Sequence, residues 1–129
     1  MGYRSDVTCI MYTNKPDDKG AGAIMTTWLK QHIHEDDMDS FEFRDTEVIF
    51  TAESWKWYDS YLPIQRLMNL FTEFDQALCG GADGDGSCCL EFMRVGESYD
   101  DVEHHDSNNS HGRLSLSRNI QIDEQFREG

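Results

Sequence analysis

The chain has 129 residues, enough for one domain with a substantial core and too few for two ordinary ones. Hydrophobic residues at 38% and aromatics at 12% exclude a disordered chain, and apolar runs of only a few residues leave neither a secretory leader nor a membrane span to be expected. The formal net charge of −14 repels phosphate backbones and anionic lipid, which disfavours direct nucleic-acid or membrane binding and favours a partner with a basic surface.

Tyr3 to Thr13, YRSDVTCIMYT, has the β-branched and aromatic content of a strand, with apolar residues on both faces from Val7 to Tyr12, as an inner strand requires. Asn14 to Asp18 break it. Asp17 or Asp18 is placed to cap a helix from Lys19 to His34, whose apolar face carries Ala21, Met25, Trp28, Leu29 and Ile33. The acidic connector HEDDMDS, with Glu35, Asp36 and Asp37, leads into FEFRDTEVIFTAESWKWY. A turn at Arg44-Asp45-Thr46 would make this a hairpin of Phe41 to Phe43 with Glu47 to Glu53, and one bulged strand fits nearly as well.

The stretch from Trp55 to Gly81 carries the clearest helical signal. Ile64, Leu67, Met68, Phe71, Phe74 and Leu78 form one apolar stripe, Pro63 suits a first turn, and Gly80 with Gly81 suits a stop. The glycine-rich turn that follows, CGGADGDGS, opens like a calcium loop. It then places Cys88 where such a loop needs glycine and Arg94 where it needs glutamate. A strand from Ser87 to Val95 comes next, then an acidic loop or frayed hairpin from Gly96 to Ser110. Leu114, Leu116, Ile120 and Ile122 alternate with polar residues as in one last strand wet on one face, and EQFREG is a loose end. This order predicts a single α+β domain over 1–129. Its form is a two-layer sandwich of ferredoxin-like type, with a mostly antiparallel sheet and two helices on one face.

Chemistry is sparser. Cys9, Cys79, Cys88 and Cys89 are expected to be reduced thiols in a cytoplasm. The cysteines and the histidines His32, His34, His104, His105 and His111 lack the C-x-x-C or H-x-x-x-H spacing of a zinc site. No nucleophile or phosphate-loop motif is present, so no cofactor and no catalytic residue is expected. Trp55, Trp57, Tyr58 and Tyr61 form the densest aromatic patch; Trp55 and Trp57 share one face of an extended segment, where their ordinary role is to pack sheet against helix, while an exposed member of the patch would anchor a protein partner. The candidate partner-binding residues are therefore the acidic Asp100, Asp101, Glu103 and Asp106, the acidic Glu35, Asp36 and Asp37, and the aromatic Trp57 and Tyr58. A homodimer is compatible with the same surface. The alternative is a small-ligand protein or enzyme, for a nucleotide or a metal, that uses the histidines and cysteines.

Met1-Gly2-Tyr3-Arg4-Ser5-Asp6-Val7 resembles the start of a group of small bacteriophage proteins that begin MGYRSDV or MGYRSEV. Lys56-Trp57-Tyr58, Phe92-Met93-Arg94-Val95-Gly96-Glu97 and Asp100-Asp101-Val102-Glu103 are similar to that group as well. The resemblance implies a phage origin and a life in the host bacterial cytoplasm. It further implies a small acidic binding protein that inhibits or modulates a host protein or defence complex, by mimicking nucleic-acid charge in one version of that reading. That group has no assigned activity, so the resemblance carries no catalytic residue.

Overall fold

The computed structural model describes residues 4–58, 60–97, 101–116 and 120–122. In chain order the elements are β1 (Arg4–Thr13), α1 (Lys19–His32), a 3-10 segment (Glu35–Ser40), β2 (Phe41–Phe43), β3 (Glu47–Lys56) and α2 (Leu62–Leu78). A second 3-10 segment (Gly81–Asp83), β4 (Cys88–Gly96), β5 (Val102–Asp106), β6 (Leu114–Leu116) and β7 (Ile120–Ile122) complete them. The fold is α+β. Its five-stranded sheet has the order β2-β3-β1-β4-β5 with every neighbouring pair antiparallel, and β6 pairs with β7 in a separate two-stranded sheet.

β1 lies in the middle of the large sheet and has no wet face over its second half. Val7, Cys9 and Met11 point to one side and Ile10 and Tyr12 to the other, all of them buried. On the first side, Met25, Leu29 and Ile33 from the α1 region meet Ile64, Leu67, Leu70, Phe71 and Phe74 of α2, together with Phe50 and Phe92 of the sheet, in one core. Each such side chain, fully buried, contributes about 1.5–3 kcal/mol. The helices start as their sequences require: Asp18 Oδ1 accepts from Ala21 N at 3.0 Å, and Pro63 occupies the first turn of α2. Gly22 sits inside α1 because a Cβ there would collide with the carbonyl oxygen of Asp45. Gly80, at φ 85°, supplies the left-handed residue that ends α2.

The Phe41–Glu53 segment is a hairpin, β2 against β3, and β3 runs on past it to Lys56. Against β1 its register slips by one residue between Ser5↔Trp55 and Val7↔Ala52. The extra residue makes a bulge at Ser54, whose φ of 56° is left-handed and unfavourable for a residue with a Cβ. Asp6 Oδ1 accepts from Ser54 N at 2.8 Å and Arg4 Nη1 donates to Ser54 O at 2.7 Å, which holds that conformation. A one-residue slip reverses side-chain facing. Trp55 and Trp57 consequently join Phe50 and Ala52 on the helix side.

The second face is covered too. Ile10, Tyr12, Ile49, Cys89, Met93 and Leu114 form a smaller core, with Ile122 packed against it. The single last strand read from period-two alternation is in fact two short strands that pair with each other, and 117–119 and the terminal 123–129 lie outside the described residues. Alternation alone does not distinguish one strand from two that share a face. The acidic 97–110 stretch likewise contains an edge strand, β5, paired with β4 from Glu91↔Asp106 to Val95↔Val102.

The segment leading into β6 is fastened to the sheet by a buried polar network. The Tyr12 hydroxyl donates to Glu91 Oε2 and accepts from His111 N at 2.7 Å, while Glu91 Oε1 accepts from Leu114 N at 2.9 Å. Arg113 lies over the Tyr12 ring, 4.9 Å from its centroid, and donates to Glu47 Oε1 at 3.0 Å. Glu91 is wholly buried, so each of its oxygens needs such a partner. Burial first, and the Glu91 hydrogen bond second, hold the Tyr12 phenol protonated far above its ordinary range.

Tyr12→Phe strands the Glu91 oxygen and the His111 N–H while leaving the ring in place, so urea denaturation should show a loss of about 1–3 kcal/mol. Hydrogen exchange at Leu114 should accelerate in the same variant. An unchanged midpoint would remove the network from the account of how the second face is closed.

Candidate functional site

The predicted acidic residues divide by what holds them. Arg94 binds Asp101 through both oxygens, at 2.9 and 3.1 Å, and Glu103 at 3.1 Å, while also donating to Ser5 Oγ at 3.0 Å. His105 Nε2 lies 2.6 Å from the other Glu103 oxygen, and His104 Nε2 lies 2.8 Å from Asp106 Oδ1. Arg94 thus counters Asp101 and Glu103, which reduces the charge they offer to a partner. Asp100 lies outside the described residues. Glu35 and Asp36 are exposed on the first 3-10 segment, whose start is capped by His34.

Two of the candidate partner-binding residues are not surface residues. Asp37 is buried, and both its oxygens take Arg66, at 3.2 and 3.3 Å, so it fastens the 3-10 segment to α2. Trp57 is 7% exposed and packs near Phe50, Trp55 and Phe92 in the main core, because the Ser54 bulge turns it inward. Of the aromatic pair only Tyr58 remains outside, at 38% exposure.

Near Tyr58 in the chain stand Tyr61, a member of the same aromatic patch but not of the candidate partner-binding set, and Leu62, which belongs to neither. Tyr61 is 52% and Leu62 68% exposed, both at the start of α2 and off its apolar stripe. Their signal was present in the sequence, since bulky apolar residues that a stripe cannot use must lie on the surface. The pairings Arg4↔Lys56, Asp6↔Val95 and Val95↔Val102 bring the ends of β3 and β4 and the start of β5 to one end of the sheet. The exposed Val102 belongs to that end as well. A shallow cleft of about 430 Å³ runs beside Tyr61, bordered by Arg4, Asp36, Lys56 and Arg66. Exposed aromatic and apolar groups rimmed by charge are the composition of a protein-binding surface.

A second cleft, of about 310 Å³, opens between α2 and the β4–β5 pair. Its floor is Met68, Phe71, Leu90 and Phe92, and its rim includes Thr72, Asp75, His105 and Ser107. Asp75 Oδ1 is sealed from solvent here and has no hydrogen-bond partner. The rim hydroxyls are committed: Thr72 Oγ1 donates to Met68 O at 3.0 Å, and Ser107 Oγ donates to Asn109 Oδ1 at 2.8 Å while accepting from Leu90 N at 2.9 Å. No sequence pattern marks Asp75, which reads as one more polar residue of an amphipathic helix.

The histidines and cysteines do not converge. His32 stacks on Trp28 with centroids 4.0 Å apart, His34 caps its own segment, and His111 Nε2 lies 2.9 Å from Asn14 Oδ1. Among the described residues no group of three or more His, Cys, Asp or Glu side chains is arranged to hold a metal ion. All four cysteines are free thiols and buried; burial above all pushes Cys89 up to about 12 and Cys9 well above its ordinary value. The glycine-rich turn is braced by Asn108, whose Nδ2 donates to Ala82 O at 2.8 Å. No helix among the described residues is long and apolar enough to cross a membrane. Compared with known protein families, with curated proteins and with solved structures, the chain matches none of them.

Two measurements check this geometry. Asp75→Leu removes a buried acceptor that has no donor and adds apolar contact to Met68 and Leu90, so thermal unfolding should show a gain of at least about 1 kcal/mol. Destabilisation would mean that the carboxylate has an internal partner. Carboxyl NMR titration should find two members of β5 displaced in opposite directions. Burial raises Glu103, but hydrogen bonds from His105 and Arg94 outweigh it and hold this carboxyl below its ordinary value; burial raises Asp106 despite His104. Stability from Glu103 is therefore present above the ordinary glutamate pKa and lost as pH falls through the depressed one. Asp106 has the other sign, and its charging costs stability as pH rises through the raised value. An ordinary midpoint for Glu103 would contradict its bonds to His105 and Arg94, and an ordinary one for Asp106 would contradict its burial.

Proposed function

We propose that this protein is a non-enzymatic binding module of bacteriophage type that inhibits or redirects a host protein, or a defence complex, in the bacterial cytoplasm. The observation that carries the reading is the exposed patch of Tyr58, Tyr61 and Leu62 at one end of the sheet, in a chain of net charge −14. Aromatic and large apolar residues supply affinity when a partner desolvates them. The exposed carboxylates, Glu35 and Asp36 among them, speed encounter with a basic surface such as a nucleic-acid groove. The likeness of MGYRSDV to small phage proteins supports the origin and the compartment. In the fold, β2-β3-β1-β4 with both helices against one face supports reading the domain as a ferredoxin-like sandwich, enlarged by the edge strand β5 and covered on its far face by β6 and β7.

The test is capture from a lysate of the bacterial host, comparing the wild-type protein with Tyr61→Asp/Leu62→Asp. Both positions are exposed, so the variant should unfold at the same temperature as wild type. The wild-type protein should retain a protein with a basic surface, associating faster at low salt than at high, and the variant should lose it. Retention by the variant at wild-type level would exclude this patch as the binding surface.

A further inference from the structure

β5 is the last strand of the five-stranded sheet, and among the described residues no strand pairs with its outer side. Which backbone groups face outward follows from the register. Gly96 N donates to Asp101 O and Ser107 N donates to Leu90 O, both at 2.8 Å. By the alternation of an antiparallel ladder, Asp101, Glu103, His105 and Ser107 therefore turn their N–H and C=O groups to β4. Val102, His104 and Asp106 turn theirs away, and among the described residues those backbone groups have no partner. Such an edge is a template for another strand unless lysine, proline or a bulge blunts it. β5, VEHHD, has none of these, and its register against β4 runs without a shift.

The order of the side chains narrows what that strand is. Turned end for end about His104, the sequence sets Glu103 against His105 and Val102 against Asp106, so a carboxylate meets an imidazole twice. Centring the pairing on Glu103 would instead set two carboxylates face to face. Centring it on His105 would leave the outward groups of Val102 beyond the end of the paired strand. We propose that the outer edge of β5 is a self-association surface, on which a second copy of this chain lays its own β5 antiparallel, two-fold symmetric about His104, joining two sheets into one. Val102, His104 and Asp106 then exchange backbone hydrogen bonds with Asp106, His104 and Val102 of the second copy. Glu103 and His105 occupy the closely spaced positions between those bonds. Within one chain His105 Nε2 already lies 2.6 Å from Glu103, so the two side chains have the length to meet across the new pair as well. The same patch serves both copies, and the assembly closes at two. An interface of two five-residue strands is small, and two chains of net charge −14 repel each other, so the dimer forms reversibly at high concentration.

Sedimentation of the full chain should find a monomer at about 10 µM and a dimer at about 1 mM, in about 0.2 M salt to screen the repulsion. At the higher concentration the amides of Val102, His104 and Asp106 should exchange with solvent severalfold more slowly. Those of Glu103 and His105, bonded to β4 in either state, should keep their rates. His104→Cys places two thiols at the symmetry axis with Cα atoms about 5.5 Å apart, so a mild oxidant should cross-link it. Val102→Cys places them more than about 10 Å apart and should not cross-link. His104→Pro removes an outward N–H alone, so it should unfold at the wild-type temperature and remain monomeric. The exchange and cross-linking readouts decide the matter even where the proline variant does not fold. A monomer at every concentration, exchange at the three outward amides that ignores concentration, equal cross-linking of the two cysteine variants, or a folded His104→Pro that dimerises like wild type would each overturn the proposal. No variant here alters Tyr61 or Leu62, so loss of a captured host protein and absence of a dimer are separate results.

Discussion

A strand with apolar side chains on both faces has to be covered twice, and β1 is such a strand. Val7, Cys9 and Met11 demand one apolar layer and Ile10 and Tyr12 another, so neither side of the sheet centre can be left to water. The two striped helices satisfy the first demand. The second is met by a short hairpin that is too small to bury much area by itself, and here polar groups do what area cannot. Glu91, Tyr12 and Arg113 bind the backbone and side chains on both sides of the junction, with every buried oxygen of Glu91 partnered. Such a network confers a particular register on the hairpin, since apolar contact alone would tolerate sliding.

The same geometry decides which charges remain available to other molecules. Carboxylates outnumber basic groups by 25 to 11, yet several of the most conspicuous ones are consumed inside the protein. Arg94 takes Asp101 and Glu103, Arg66 takes Asp37, and Arg113 takes one oxygen of Glu47. The scarce cations are placed where they join elements: β4 to β5, the 3-10 segment to α2, and the β6 approach to β3. What is left over is a general negative field with exposed members at Glu35 and Asp36, together with an apolar patch at the beginning of α2. Long-range attraction and short-range adhesion therefore come from different residues, which is the usual division of labour in charge-steered association.

Asp75 departs from this economy. Its buried oxygen has no cation and no N–H, at the wall of a cleft whose floor is aromatic. Elsewhere among the described residues buried polar side chains such as Glu91, Asp37 and Ser107 have their partners, so the exception is local to one opening.

From the chain alone, the helices and the central strand could be read with their boundaries nearly correct, because periodicity and caps are local properties. The Leu67, Phe71 and Phe74 stripe, the Asp18 cap and the two-sided apolarity of Val7 to Tyr12 need no knowledge of the rest of the fold. Tertiary structure decided what depended on pairing partners distant in sequence. The Ser54 bulge exists only against β1, and it turns Trp57 inward while Tyr58 stays exposed. Asp37 lost its freedom to an arginine 29 residues away, which its own neighbours in the chain could not reveal. Local rules assign elements; exposure and pairing of a single side chain are settled by whatever the fold lays against it.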